Sequence, residues 1–368
     1  MLRLNRIALS NLRNYSNLEL EPQPGLNVFV GDNAQGKSNL LEAIALLGTG
    51  KSFRTSREAD LIKHGLALAS VAGEADMRAG TVRLSCAIAN TGRGVRKTYT
   101  LNGEPVRYAR FLGSAKVVTF TPWDLHLVTG TPSLRRAMLN VALSQDRPAY
   151  YSHLSRYQKA VSQKAALLRG TIEPDAELLR VYNQTLVESG AALMAARAQF
   201  VESLNAPAST AYRTWAESPE RLTLSYEPNV PFEARTQDAI ESALHERLAN
   251  VAQLEAQRKT CIAGPHRDDL AFLLDGMSLA AFGSQGQHRM AVLALKVAEY
   301  AVMHERSGEA PLLFLDDVLS ELDHQRAKAF LSGIGIYEQA FMTATSLPSG
   351  IPAAAQYRIA NATLKRIA

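Results

Sequence analysis

Apolar residues alternate with polar and charged ones from Leu2 to Leu20, and an almost unbroken apolar run follows at Leu26 to Val30. Two strands are predicted here, the second of the kind buried on both faces of a sheet. A glycine-rich loop opens at Gly31, and Asn39 to Leu47 then combine good helix formers with apolar spacing until Gly48. The predicted order is strand, glycine loop, helix. Period-two alternation returns between about Ala67 and Tyr108, where Asn102-Gly103 separates Thr98-Tyr99-Thr100-Leu101 from Pro105-Val106. Asn-Gly between two such runs is a strong hairpin signal, so an antiparallel β-lobe is expected there.

From roughly Ser133 to Gln257 the chain turns to long stretches of Ala, Leu, Glu, Gln and Arg, with breaks near Gly170-Thr171 and across Asn205 to Pro231. That composition predicts a helical lobe. Pro311 to Leu315 reads as a second buried strand running into Asp316-Asp317, and Ala340 to Met342 as a short strand ending at Thr343. The expected fold class is α/β. Residues 1–125, with the β-lobe, and 259–368 build one domain, and a helical lobe over 126–258 is inserted between them.

A chain of 368 residues with 46% hydrophobic and 20% charged residues has the balance of a globular protein large enough for two cores. Cys86 and Cys261 have no C-x-x-C pattern or histidine beside them, so reduced thiols are expected rather than a disulfide framework or zinc site. The amino end lacks the continuous apolar core of a signal peptide. The most apolar helical stretch, Met290 to Met303, is interrupted by Lys296 and Glu299 and cannot span a bilayer. A cytoplasmic protein with no membrane partner is therefore expected. The net charge of +5 and pI near 9.1 permit contact with nucleic acid without requiring it.

Gly31-Asp32-Asn33-Ala34-Gln35-Gly36-Lys37-Ser38 matches the phosphate-loop pattern G-x-x-x-x-G-K-[ST] and lies between a buried strand and a helix, the context that gives it meaning. The glycines let backbone N–H groups turn around phosphate oxygens, Lys37 reaches the β- and γ-phosphates, and Ser38 places its hydroxyl on Mg²⁺. Gly50-Lys51-Ser52 is a decoy, because Ala45 stands where the first glycine belongs and a helix precedes it. Asp316, at the tip of a buried strand, is the expected metal ligand, and Asp317 the residue that orients or deprotonates the attacking water.

Phe282-Gly283-Ser284-Gln285-Gly286-Gln287 precedes an apolar helix. By itself it is a helix cap. Placed before the metal strand it is similar to the L-S-G-G-Q signature of ATP-binding cassettes, with Gln285 where the first glycine stands. The resemblance implies that Ser284 and Gln287 contact nucleotide held by a second copy, in an ATP-sandwiched homodimer. Ser320-Glu321-Leu322-Asp323 resembles the D-loop of that interface. Leu12-Arg13-Asn14-Tyr15, the phosphate loop, Lys51-Ser52-Phe53-Arg54, Pro122 through Asp124-Leu125 to Arg135-Arg136, Gly264-Pro265-His266-Arg267-Asp268-Asp269-Leu270 and the S-Q-G-Q motif together resemble the RecF family of bacterial DNA-repair proteins, from residue 2 to about 345.

That resemblance implies a cassette-type P-loop ATPase head with an antiparallel β-lobe and an inserted helical lobe, using ATP and Mg²⁺. It implies DNA as partner, whether single-stranded, gapped or at a duplex junction, and work with RecR, RecO and RecA in repair, replication and the SOS response. Arg13 resembles the family arginine that approaches the nucleotide, and a structural role is the other reading. Arg135-Arg136 read alone as a solvated helix face; the resemblance adds DNA contact or a fold-specific salt bridge. His266 near Asp268 hints at a metal, but no third ligand follows. A cassette transporter has a catalytic glutamate where Asp317 stands and a switch histidine further on, whereas no histidine follows His324 and Thr343-Ala344-Thr345 occupies that region. Both features imply slow hydrolysis, a switch rather than a pump, and the family resemblance implies that DNA stimulates it. The alternative is the ATPase subunit of another cassette or chromosome-organising assembly. The insertion allows hairpins of about 35 residues, roughly 50 Å at helical rise, too short for the long arms of the latter.

Overall fold

The structure is a computed structural model that describes residues 2–170, 175–216, 219–318, 330, 337–346 and 353–368. β1 (Arg3–Leu12) and β2 (Tyr15–Leu20) pair antiparallel, and β3 (Gly25–Val30) leads into α1 (Lys37–Thr49). Three strands thus stand where two are predicted. The reversal between β1 and β2 is made by Asn11 and Arg13 at φ +52° and +54°, with no Gly or Pro to announce it. The helix also runs past Gly48 to Thr49, with Gly50 as its cap.

β4 (Leu68–Met77), β5 (Gly80–Asn90), β6 (Val95–Leu101) and β7 (Glu104–Val106) form an antiparallel meander, with Leu101 opposite Glu104 across the Asn102-Gly103 turn. With β1 and β2 they make a six-stranded sheet of order β2-β1-β4-β5-β6-β7. After α2 (Tyr108–Phe111) and β8 (Val117–Phe120), the helical segment comprises α3 (Pro132–Asp146), α4 (Pro148–Arg169), α5 (Ala176–Ala216) and α6 (Gln237–Arg258), with β9 (Leu222–Glu227) between the last two.

The break expected across Asn205 to Pro231 begins later, because α5 continues through Pro207 to Ala216 before β9 interrupts the helices. An interior proline costs about 3 kcal/mol locally. Here Ala208, Ala211 and Tyr212 are buried, and the Asn205 side chain donates to and accepts from the Leu224 backbone at 2.9 and 2.7 Å. Packing outweighs propensity, as it does for most helices in proteins.

β10 (Asp269–Leu274), β11 (Met277–Ser278), α7 (Leu279–Phe282) and α8 (Gln285–Ser307) follow. β12 (Leu312–Asp316), β13 (Gln339–Ala344), β14 (Ala355–Ala360) and β15 (Thr363–Arg366) then complete a second six-stranded sheet of order β15-β14-β3-β13-β12-β8. All its pairings are parallel except β14 with β15. Every residue of β12 and β13 is buried, as in strands covered on both faces.

The chain packs as two compact units, residues 1–125, 214–218 and 292–368 in one and 126–213 and 219–291 in the other. The inserted lobe therefore extends past the expected boundary at 258, because β10 pairs with β9 from Asp269 opposite Glu227 to Leu274 opposite Leu222. In the first unit α1 is apolar almost all round and packs on β4 and β5 of one sheet and β8, β12 and β13 of the other. Phe29, Phe341 and Phe314 stack beside it with ring centroids 6.4 and 5.1 Å apart. Burial of each such ring stabilises by roughly 1.5–3 kcal/mol. Among the described residues no helix is long and apolar enough to cross a membrane. In α8 the charges of Lys296 and Glu299 are buried and paired at 2.5 Å.

Candidate nucleotide site

β3 delivers Gly31 and α1 begins at Lys37, so residues 31–36 wrap the positive end of a buried helix. Ala34 at φ +65° and Gly36 at φ +109° bend the loop into a cradle. A Cβ at Gly36 would stand 2.7 Å from Asn14 Nδ2, and one at Gly31 2.2 Å from the Ile359 carbonyl oxygen, so neither position takes a side chain. Lys37 is buried, and its Nζ donates to the carbonyls of Gly31 at 2.6 Å and Asp32 at 2.8 Å. Asp32 and Asn33 are exposed, and Ser38 is half-buried in the first turn of α1. The β14–β15 turn props the loop from behind. Asn361 N–H donates to Gln35 Oε1 at 2.7 Å and Ala362 N–H to the Gln35 carbonyl at 3.1 Å.

Glu42, fully buried on α1, organises the floor. It accepts Arg13 Nε and Nη2 at 2.7 and 2.8 Å and the Ser52 hydroxyl, and Arg54 stands 3.8 Å away. Arg54 donates to Asn39 at 2.6 Å, Asn39 to Asn14 at 2.9 Å, and the Tyr15 hydroxyl to the Gly36 carbonyl at 3.1 Å. The segments around Arg13, the phosphate loop and Arg54 are thus one hydrogen-bonded structure. The guanidinium of Arg13 is committed to Glu42 and to the Asp60 carbonyl at 2.8 Å. Its hydrogen bonds to Glu42 hold its pKa above the ordinary value, and burial pushes the Tyr15 phenol up.

β3, β13 and β12 lie side by side, so their C-terminal ends bring the phosphate loop, Thr343 and Asp316 to one sheet edge, where open α/β sheets bind ligands. Asp316 is buried, and Thr343 opposite it donates its hydroxyl to Asp316 Oδ1 at 2.8 Å while accepting Asp317 N–H at 2.8 Å. Asp317 is half-buried at φ +52°, a strained conformation for a non-glycine residue. Among the described residues no group of three His, Cys, Asp or Glu side chains could hold a metal alone. One hydroxyl and one carboxylate, Ser38 and Asp316, suit Mg²⁺, which takes few protein ligands and fills its shell with phosphate oxygens and water. Glu42 is not singled out from sequence, where its only trace is an acid inside the apolar run Leu40-Leu41-Glu42-Ala43-Ile44, and Thr343 stands out only as a strand end in the region of the switch histidine, not as a partner of Asp316.

In the second unit Ser284 caps α8. Its hydroxyl accepts Gln287 N–H at 3.2 Å while Gln287 Oε1 accepts Ser284 N–H at 2.9 Å, a reciprocal capping box at an exposed helix start. The Ser320 to Asp323 stretch lies outside the described residues.

Arg135 is buried and Arg136 half-buried rather than on a solvated face, and Arg135 makes the fold-specific salt bridge that is one of the two expected roles. Arg135, 8% exposed, pairs through two hydrogen bonds with Asp269 at 2.6 and 2.8 Å and donates to the carbonyls of Leu127 and Gly130 at 2.9 and 2.8 Å. Arg136 donates to the Asp268 carbonyl at 2.7 Å, and burial lowers its pKa. The Asp268 carboxylate accepts Arg197 at 3.0 Å, Asn229 N–H at 2.9 Å and the Tyr226 hydroxyl. Burial opposes the charge on Arg197, but Tyr150, Tyr226 and Asp268 outweigh it and hold its pKa up. The segment from Gly264 to Leu270 is therefore a buried polar pin of the inserted lobe. Both ring nitrogens of His266 are engaged, with the Tyr157 hydroxyl at 2.6 Å and the Cys261 carbonyl at 3.1 Å, and burial lowers its pKa. Cys86 and Cys261 are buried free thiols, pushed up by burial to about 12 and about 11.

Residues 3–360 match the RecF/RecN/SMC N-terminal domain family. A DNA replication and repair protein RecF from Symbiobacterium thermophilum is 42% identical over 351 residues, covering 94% of this chain and 92% of its own. The chain belongs to the RecF family. The Enterococcus faecalis RecF is 37% identical over 351 residues, 94% of this chain and 93% of its own. A solved structure of the recombination mediator protein RecF with ATP, in the RecFOR pathway, matches all of this chain and 98% of its own at a TM-score of 0.92 and 32% identity. The Pyrococcus furiosus Smc head, at 15% identity and a TM-score of 0.57, shares the fold. The cassette-type ATPase head with its inserted lobe is thus the family's fold.

Proposed function

We propose that the protein is an ATP-gated DNA-binding switch of recombinational repair, acting in the cytoplasm. ATP joins two copies, the dimer holds DNA at gaps or junctions, and slow DNA-stimulated hydrolysis releases it. The observation that carries this reading is the convergence of the phosphate cradle, Lys37 and the Asp316–Thr343–Asp317 hydrogen-bonded set at one sheet edge. In this reading Lys37 exchanges its carbonyl partners for the β- and γ-phosphates, a charge-assisted contact in a buried setting. Ser38 and Asp316 hold Mg²⁺, which supplies positive charge to the phosphoryl oxygens. Thr343 fixes the Asp316 carboxylate and the Asp317 backbone, and Asp317 orients the attacking water.

Ser284 and Gln287 meet the γ-phosphate bound by the second copy, because the exposed start of α8 offers backbone N–H groups and a hydroxyl to an anion. RecR is the direct partner, with RecO and RecA downstream, in replication-linked repair and the SOS response. The RecFOR context of the ATP-bound relative supports that placement. Light scattering tests the proposal: the parent should dimerise on adding ATP and Mg²⁺, whereas Lys37→Met should stay monomeric and lose nucleotide affinity. Unchanged ATP affinity in Lys37→Met would overturn the phosphate-loop assignment.

A further inference from the structure

α4 carries no acidic residue in any of its 22 positions. One face is buried through Tyr150, Leu154, Tyr157, Ala160 and Leu168. The single buried cation, Lys164, is neutralised by Glu255 at 2.5 Å. The opposite face is exposed along Ser155, Arg156, Lys159, Ser162, Gln163 and Arg169. At helical spacing Ser155, Lys159 and Ser162 share one line, flanked by Arg156 and Gln163. Every polar side chain on this stripe donates hydrogen bonds, and none is a carboxylate. Arg156 meets only Glu188, at 3.7 Å, with both side chains largely in solvent, and such pairs contribute little. Lys159 pairs with no described residue. α6, by contrast, exposes Asp238, Glu246, Arg247 and Arg258 in mixed sign.

We propose that this face of α4 docks on the phosphodiester backbone of duplex DNA, an inference that rests on the DNA-binding reading above. Arg, Lys, Ser and Gln are the side chains that satisfy phosphate oxygens, and α4 itself brings no carboxylate to repel them, the acid beside Arg156 being Glu188 of α5. The short serines around Lys159 let the helix approach closely. A helix of 22 residues is about 33 Å long, close to one turn of duplex. The target is duplex rather than unpaired bases because the stripe has no aromatic side chain to stack on them: Tyr150 and Tyr157 face inward and Tyr151 is half-buried. Contact of this kind reads charge and shape rather than sequence, and it offers solvent-facing cations where Arg135 is buried and Arg136 is half-buried on the Asp268 carbonyl.

The test uses the full chain with ATP and Mg²⁺ and a fluorescent 30-base-pair duplex probe, with binding measured by anisotropy across a salt series. Arg156→Gln combined with Lys159→Gln should lower the slope of log affinity against log salt by about 1.8 for each copy that contacts the duplex, since each phosphate contact contributes roughly 0.9. ATP affinity should not change. Arg247→Gln combined with Arg258→Gln on α6 removes the same charge and should leave the slope intact. The proposal is overturned if the α4 variant keeps the parent slope, if the α6 variant loses as much, or if the parent binds single strands but not duplex. Should the parent bind no DNA of any form, the DNA-binding reading itself fails.

Discussion

Arg13 is bonded to Glu42 beneath the nucleotide loop, and a double-mutant cycle separates a role as a brace of that loop from direct contact with nucleotide. Glu42→Gln keeps the side chain's shape but removes the charge that faces Arg13 across two hydrogen bonds of 2.7 and 2.8 Å. Removing one partner of a buried pair costs about 3–5 kcal/mol. The Arg13 side chain is 18% exposed, so water recovers part of that, and about 2–3 kcal/mol of lost stability is expected. Arg13→Gln should lose a similar amount, and the double variant little more, leaving a coupling energy of about 2 kcal/mol. Asn14 and Tyr15 follow Arg13 directly and wall Gly36, so a loosened Arg13 shifts the cradle. Both single variants should therefore lose about tenfold in ATP affinity, roughly 1.4 kcal/mol, and the double variant no more than either. Urea unfolding and titration with a fluorescent ATP analogue read the two quantities. Additive stability losses would refute the brace. So would an Arg13→Gln variant that abolishes ATP binding while Glu42→Gln retains it, since Arg13 would then meet the nucleotide itself.

Asp317→Asn should keep ATP affinity and lose hydrolysis, because Asp316 still holds the metal while the water loses its orienting carboxylate; single-turnover assays at the parent rate would remove Asp317 from the chemistry. Thr343→Val keeps the shape but deletes the hydroxyl that bridges Asp316 and Asp317, so the Mg²⁺ concentration for half-maximal ATPase should rise several-fold, and an unchanged value would remove Thr343 from the site. Burial holds the pKa of His266 below its ordinary 6.5, so the unfolded chain binds the extra proton first as pH falls. Stability should therefore drop as pH goes below about 6.5, by up to about 1.4 kcal/mol per pH unit, until the folded state titrates too. Denaturation midpoints between pH 7.5 and 5 should show this fall, and His266→Gln should flatten it; an equal fall in the variant would assign the slope to other groups.

The phosphate loop, both buried strands and the Asn102-Gly103 hairpin are legible in the sequence because each is a local pattern whose spacing the backbone itself fixes. What the sequence hides are the partners. Glu42 meets Arg13 from 29 residues away, Thr343 meets Asp316 from 27 away, and Gln35 is held by the β14–β15 turn from 326 away. Arg135 and Arg136 resemble a solvated face when read along α3, and their engagement follows from Asp268 and Asp269, more than 130 positions on. The same long-range pairing, β10 on β9, carries the inserted lobe to residue 291 although helical composition ends near 258. Pro207 misleads for the opposite reason, because its local signal is strong and the packing around α5 overrides it.

The central claim is that two copies share each ATP, and a mixing experiment tests it most directly. Ser284→Arg places a bulky cation at the exposed start of α8 and leaves the phosphate loop of the same chain intact, while Lys37→Met does the reverse. Loss of the Ser284 cap itself costs about 1 kcal/mol of helix stability, too little to unfold the protein. Each variant alone should fail to dimerise and hydrolyse ATP, and Ser284→Arg should still bind nucleotide. Mixed, they pair one intact loop with one intact signature, and ATPase activity should partly return. A Ser284→Arg protein that dimerises and hydrolyses ATP like the parent would contradict the account.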